Sequence, residues 1–144
     1  MFKSASGTAY SLTGVDGAPV VAFIHGLGLH QQTWRDHVPV FAEQYQVLNY
    51  DLFGHGKSVQ PPTPPTLTLF AEQLRDLLNE LDIDCAALIG FSLGGMINRR
   101  FTMDNPQRVS ALAILNSPHE RGEAQQKLVE DRAAQTSEGG PSDN

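Results

Sequence analysis

Apolar residues in this chain gather into four short runs, each closed by a turn-forming segment, and the stretches between the runs carry helical spacing. The runs are Val20 to Ile24, Gln46 to Tyr50, Ala86 to Ile89 and Val109 to Leu115. His25-Gly26 closes the first, Asp51 and a glycine-rich stretch the second, Gly90 the third and Asn116-Ser117-Pro118 the fourth. A strand covered on both faces sends both alternating sets of side chains out of water, so it reads as a run rather than as an alternation. Upstream, residues 1–14 mix small, polar and β-prone residues around Gly7 and predict a hairpin, followed by a turn at Asp16-Gly17-Ala18-Pro19.

Three helical patterns fill the gaps. Phe70, Leu74, Leu77, Leu78 and Leu81 fall on one face of a helix, with Thr66 and Thr68 as candidate N-caps. A shorter helix is predicted from about Gly95 to Met103, ending at Asn105-Pro106 because the residue before proline disfavours helix. Between Gln31 and Gln44 the positions Trp34, Val38 and Phe41 predict a third, interrupted at Pro39. Strand and helix in alternation specify an α/β fold: a mostly parallel sheet with right-handed crossovers and helices on both faces. Pro61 to Pro65 reads as a connector, since the alternation resumes directly after it. The character changes past Pro118. Residues 1–118 read as core, and residues 119–144 as a polar segment, helix-compatible from Gly122 to Gln135, with an exposed chain end rich in Ser, Gly, Pro and Asp.

Composition narrows the class. At 144 residues the chain is long enough for one domain, and a chain of that size buries ~70% of its unfolded surface. Apolar residues at 40% and charged residues at 18% are those of an ordinary globular protein. The ten Lys and Arg are scattered in a chain of net charge -6, which argues against nucleic acid as a partner. No run approaches the ~20 apolar residues that a membrane span needs, and the first ten residues hold no apolar stretch of signal-peptide length. The single cysteine, Cys85, excludes an internal disulfide and sits in an apolar run, where it reads as a small buried hydrophobe. The cytoplasm is the expected location.

Gly90-Phe91-Ser92-Leu93-Gly94 leaves a buried strand and opens a helix. A G-x-S-x-G in that context is a nucleophile elbow: the serine is forced into a strained conformation that projects its hydroxyl from the sheet edge. Glycines two residues to either side let strand and helix approach closely. A tetrahedral acyl intermediate carries an oxyanion that backbone N–H groups stabilise. Leu93, after the nucleophile, is expected to give one, and Leu27, in the His25-Gly26-Leu27-Gly28 loop, the other. His25 reads as a hydrogen-bonded loop anchor and is not assigned as the base. In Asp51-Leu52-Phe53-Gly54-His55-Gly56-Lys57-Ser58, Asp51 is expected to tie down backbone amides and Ser58 to end a glycine turn, so Asp51 and His55 read as structural.

In this order the motifs HGLG, DLFGHGKS, GFSLGG and Pro106-Gln107-Arg108-Val109 resemble the α/β-hydrolase superfamily over residues of about 20 to 118. More narrowly, they are similar to its small cofactor-free esterases, enol-lactonases, carbon–carbon bond hydrolases and perhydrolases. The resemblance implies Ser92 as nucleophile, Leu27 and Leu93 as the oxyanion hole, no cofactor or metal, and a helical cap beginning at Glu120. In this fold the acid and the histidine of the triad follow the serine along the chain. Only 52 residues follow Ser92, and His119 and Glu120 are the conceivable substitutes, with loop or cap packing the preferred role of His119. Some relatives carry the acid where Asn116 stands, and an amide cannot act as that carboxylate.

The expectation is therefore a carboxylic-ester or lactone hydrolase working through an acyl-enzyme on Ser92. A carbon–carbon hydrolase or perhydrolase, or a non-catalytic binding protein on the same scaffold, are its alternatives. Leu27, Leu29, Trp34, Phe91 and Leu93 suggest an apolar acyl pocket, although core packing accounts equally for several of them. Val109 to Leu115 is expected to form a sheet edge without the charge or proline that protects natural edges. A second polypeptide segment, separated by cleavage near Gly139 to Asn144 or otherwise not in this chain, is expected to cover that edge and bring the acid and the histidine.

Overall fold

The computed structural model describes residues 1–118 and, beyond them, helical backbone at residues 127–128, 131–132 and 134–135. Those three pairs lie in the helix expected over residues 122–135; His119, Glu120 and residues 139–144 fall outside the described residues. In chain order the strands are β1 (Phe2–Lys3), β2 (Ala9–Gly14), β3 (Val20–Ile24), β4 (Gln46–Tyr50), β5 (Ala86–Phe91) and β6 (Val109–Leu115). The α-helices are α1 (Val38–Phe41), α2 (Leu67–Glu80) and α3 (Leu93–Asp104), with 3-10 turns at Gln31–Trp34 and Pro106–Arg108.

One sheet holds all six strands in the order β1-β2-β4-β3-β5-β6. The four apolar runs form its parallel part, with Val21 beside Val47 and Ala87 across β3–β4 and β3–β5. The N-terminal hairpin is present, pairing Phe2 with Tyr10, and it extends the same sheet: β2 runs antiparallel to β4, with Tyr10 opposite Tyr50. At the other end β6 is paired, among the described residues, on one side only, by β5.

Alternation along the strands divides the core between the two faces. Ala22, Ile24, Leu48, Tyr50 and Leu88 point to one face, where Phe70, Leu74, Leu77 and Leu78 of α2 and Ile97 and Phe101 of α3 cover them. Val21, Phe23 and Val47 point to the other, under Trp34, Val38 and Phe41. The stripe predicted on α2 is the buried one, and Thr66 rather than Thr68 caps it, its Oγ1 accepting from Leu69 N at 3.0 Å. Full burial of a leucine such as Leu74 or Leu78 stabilises by about 2 kcal/mol. Helix α3 ends where predicted, with Asn105 out of helical conformation before Pro106.

Two expectations are corrected. The region from Gln31 to Gln44 is broken at residues 35–37, not at Pro39. Pro39 lies in the first turn of α1, where its missing N–H has no intrahelical acceptor to lose. Cys85 is exposed, because the strand begins one residue later at Ala86 and the cysteine falls in the connection from α2.

Candidate active site

Strands β3 and β5 are parallel neighbours in register, Ile24 beside Gly90, so the segments leaving them emerge together at one sheet edge. That edge, at the carboxyl ends of the strands, is where open α/β sheets place their ligand sites. His25 to Leu29 leaves β3, and Ser92 leaves β5.

Ser92 stands between β5 and α3 with φ 54° and ψ −113°, a left-handed conformation that L side chains rarely adopt. The flanking glycines explain how the chain reaches it. A Cβ on Gly94 would overlap the carbonyl oxygen of Ile24 and stand 2.7 Å from that of His25; one on Gly90 would collide with the Asn98 side chain and the backbone of Gly94. Helix α3 therefore starts pressed against the ends of two strands. The Ser92 N–H donates to Leu115 O at 2.9 Å, tying the turn to β6. The Ser92 carbonyl accepts from Gly95 N at 3.0 Å. Leu93 is the first residue of α3, and its N–H has no acceptor among the described residues. The positive end of a 12-residue helix dipole thus begins directly after Ser92.

The second loop is a turn from Gly26 to Leu29, closed by Leu29 N–H to Gly26 O at 3.2 Å, with Gly28 at φ 76°. A positive φ at that third position is what a type II turn requires. The Gly28 N–H donates to His55 Nε2 at 3.0 Å, whereas the Leu27 N–H has no acceptor among the described residues.

The third segment, after β4, packs beneath. The Asp51 carboxylate is buried and accepts from the Gln31 backbone N–H at 2.7 Å, the Gln31 side chain at 3.2 Å and the Lys57 N–H at 3.0 Å. Ser58 Oγ donates to Asp51 O at 2.6 Å and accepts from Ala9 N at 2.9 Å. Gly56 packs so closely on the Asp51 carboxylate that a Cβ would overlap it. Asp51 ties down backbone amides, as its spacing predicted.

His25 is fully buried, donating from Nδ1 to Gly26 O at 2.8 Å and accepting on Nε2 from Leu52 N at 3.0 Å. Both nitrogens are committed, as expected of an anchor. Burial, opposed by the Gly26 hydrogen bond, pushes its imidazole down to about 4. His55, also buried, donates from Nδ1 to Phe53 O at 2.9 Å, and burial lowers its imidazole too. Ser92 Oγ meets no histidine through a hydrogen bond among the described residues.

Sequence reasoning missed two residues. His55 was read only as part of a turn, yet it receives an amide 27 positions away. Gln73, a polar residue on the apolar face of α2, accepts from Phe53 N at 3.0 Å and donates to Thr8 Oγ1 at 3.0 Å and Asp51 O at 3.2 Å. Its signal was present: an amide between Phe70 and Leu77 is buried and must be satisfied. The apolar residues offered as a pocket divide. Trp34 is core, its ring 4.8 Å from that of Phe23, and Phe91 and Leu93 pack against the two core clusters. Leu27 and Leu29 stay half-buried in the turn.

No group of His, Cys, Asp and Glu able to hold a metal ion occurs among the described residues. No helix among them is long and apolar enough to cross a membrane.

Comparison with known proteins agrees with this geometry. The chain is 28% identical over 132 residues to the (E)-2-((N-methylformamido)methylene)succinate hydrolase of Acinetobacter baylyi, which covers 92% of this chain and 50% of that protein. It is 29% identical over 116 residues to 3-oxoadipate enol-lactonase 2 of the same organism, covering 81% of this chain and 43% of that one. The crystal structure of the enol-lactonase from Burkholderia xenovorans superposes with a TM-score of 0.82 at 25% identity, over 92% of this chain and 51% of that one. The chain spans between a third and a half of the curated relatives it matches. The family model described as alpha/beta hydrolase fold matches residues 19–137, and the chain belongs to that family.

Proposed function

We propose that the chain carries the nucleophile and the oxyanion hole of a serine hydrolase that cleaves a carboxylic ester or lactone. The observation that carries this reading is Ser92 at φ 54° between β5 and α3, beside the Leu93 amide, which has no acceptor among the described residues. Strain of this kind costs about 1–3 kcal/mol and persists where the surrounding structure enforces it. Ser92 Oγ attacks the carbonyl carbon while its proton passes to a histidine base. The Leu27 and Leu93 amides hold the oxyanion. Collapse expels the alkoxide, which takes the proton back from the histidine, and water then releases the acid from the acyl-enzyme. Lactones and esters suit the names of the enol-lactonase relatives. One cysteine in 144 residues suits a reducing compartment, and the cytoplasm is the proposed location.

The base and its acid belong to a second segment that pairs with β6. In support, Ser110 to Ala113 are exposed in a strand that is apolar apart from Ser110, and the chain spans between a third and a half of the curated relatives it matches. The protein carrying both segments is to be treated with a fluorophosphonate probe and with a series of p-nitrophenyl esters. Covalent labelling mapped to Ser92, with ester turnover, is the expected result. Labelling without ester turnover moves the reading to carbon–carbon hydrolysis or perhydrolysis, and no labelling moves it to a binding scaffold.

A further inference from the structure

Two histidines from different loops each take an amide from the other's loop. His25, leaving β3, accepts from Leu52 N at 3.0 Å; His55, leaving β4, accepts from Gly28 N at 3.0 Å. Each then donates from Nδ1 to a carbonyl of its own segment, His25 to Gly26 O and His55 to Phe53 O. Their ring centroids are 5.2 Å apart. An imidazole that accepts on Nε2 and donates from Nδ1 is neutral, since a second proton would set N–H against N–H.

Within the turn from Gly26 to Leu29 this arrangement selects one amide. Leu29 N–H closes the turn and Gly28 N–H is held by His55, so Leu27 N–H is left without an acceptor among the described residues. The geometry points to His55 as a positioning residue for the oxyanion hole: by taking the Gly28 amide it fixes the turn in the orientation that leaves Leu27 N–H for the substrate oxygen, with His25 as the reciprocal brace. This rests on the serine-hydrolase reading above. The charged and titratable groups facing the pair are Asp51 and His30. Asp51 is already engaged by Gln31 and Lys57, and burial keeps both rings neutral around neutral pH. A turn amide displaced by an ångström costs on the order of 100-fold in rate.

The test compares His55→Gln with His55→Asn in the protein carrying both segments. Glutamine places an acceptor where Nε2 stands and keeps the Gly28 bond. Asparagine reaches only the Nδ1 position, so it keeps the Phe53 contact and loses Gly28. The expected result is a kcat for esters, and a rate of fluorophosphonate labelling at Ser92, within about threefold of wild type for Gln and 10- to 100-fold lower for Asn, with KM unchanged. Equal activity of both variants overturns the proposal, as does an equal loss in both. The imidazole 15N shifts give a readout that survives failure of the hydrolase reading. An unprotonated Nε2 and protonated Nδ1 on both histidines at neutral pH is expected even if Ser92 is inert, and a protonated Nε2 on His55 overturns the clasp.

Discussion

Gly94 lies so close to the end of β3 that a single added carbon would overlap the carbonyl of Ile24. Both partners are backbone in regular structure, so neither yields easily. Gly94→Ala is expected to push the start of α3 away from the sheet, cost about 1–3 kcal/mol and displace Ser92 and Leu93 together. Chemical denaturation and the rate of fluorophosphonate labelling read the two effects; an alanine variant of wild-type stability and reactivity would refute the close packing.

Ser92 has a demanding backbone and a side chain without a structural hydrogen bond among the described residues. Ser92→Ala is expected to abolish ester turnover by several orders of magnitude with the fold kept. Ser92→Gly, equally inactive, should be more stable than Ser92→Ala by about 1 kcal/mol, because glycine accepts positive φ without strain. Thermal midpoints of the two variants decide this.

Acid should loosen the loop pair before it unfolds the sheet. Folding holds His25 at about 4 against 6.5 for a free imidazole, so between those values the unfolded chain binds more protons. Stability then rises with pH across that window. The contribution is fully present above about pH 6.5 and lost as pH falls towards 4, in total of order 3 kcal/mol. Denaturant midpoints measured from pH 7 to pH 4 should show this slope, and His25→Gln should flatten it.

Asp51 accepts three hydrogen bonds from Gln31 and Lys57 while buried. Asp51→Ala leaves those donors without acceptors and should cost at least about 3 kcal/mol. The loss should appear in the unfolding free energy. If the fold survives at lower temperature, labelling of Ser92 there should remain measurable, whereas a selective loss of labelling with stability intact would make Asp51 part of the chemistry.

Strand β6 presents Leu112 and Leu115 at 40% and 46% exposure on an edge that no strand pairs among the described residues. The chain by itself is expected to self-associate, and Leu112→Lys to reduce that, since charge blunts an open edge. In the protein carrying both segments the same lysine should destabilise. Light scattering and denaturation, run side by side, separate an edge that a second segment covers from one that stays open.

The hydrophobic pattern by itself determined the four parallel strands and the buried stripe of α2, and the glycines around Ser92 determined its turn. These rest on local rules: alternation along a strand, 3.6-residue periodicity, and glycines placed where Cβ atoms do not fit. Where the local signal was ambiguous, tertiary structure decided. Cys85 reads as a buried member of an apolar run and is exposed, since the strand starts one residue after it. Trp34 stood near the loop motifs and is packed on Phe23, because the 3-10 turn that carries it lies over the opposite sheet face from α2. The pairing of β2 with β4 joined the hairpin to the sheet through contacts that no local spacing specifies. The reciprocal bonds of His25 and His55 span 27 positions each, and Gln73 reaches Thr8 across 65. Such bonds exist only once the sheet has brought the loops together at its carboxyl edge. Residue type announced that these side chains could donate or accept; their partners were set by the folded chain alone.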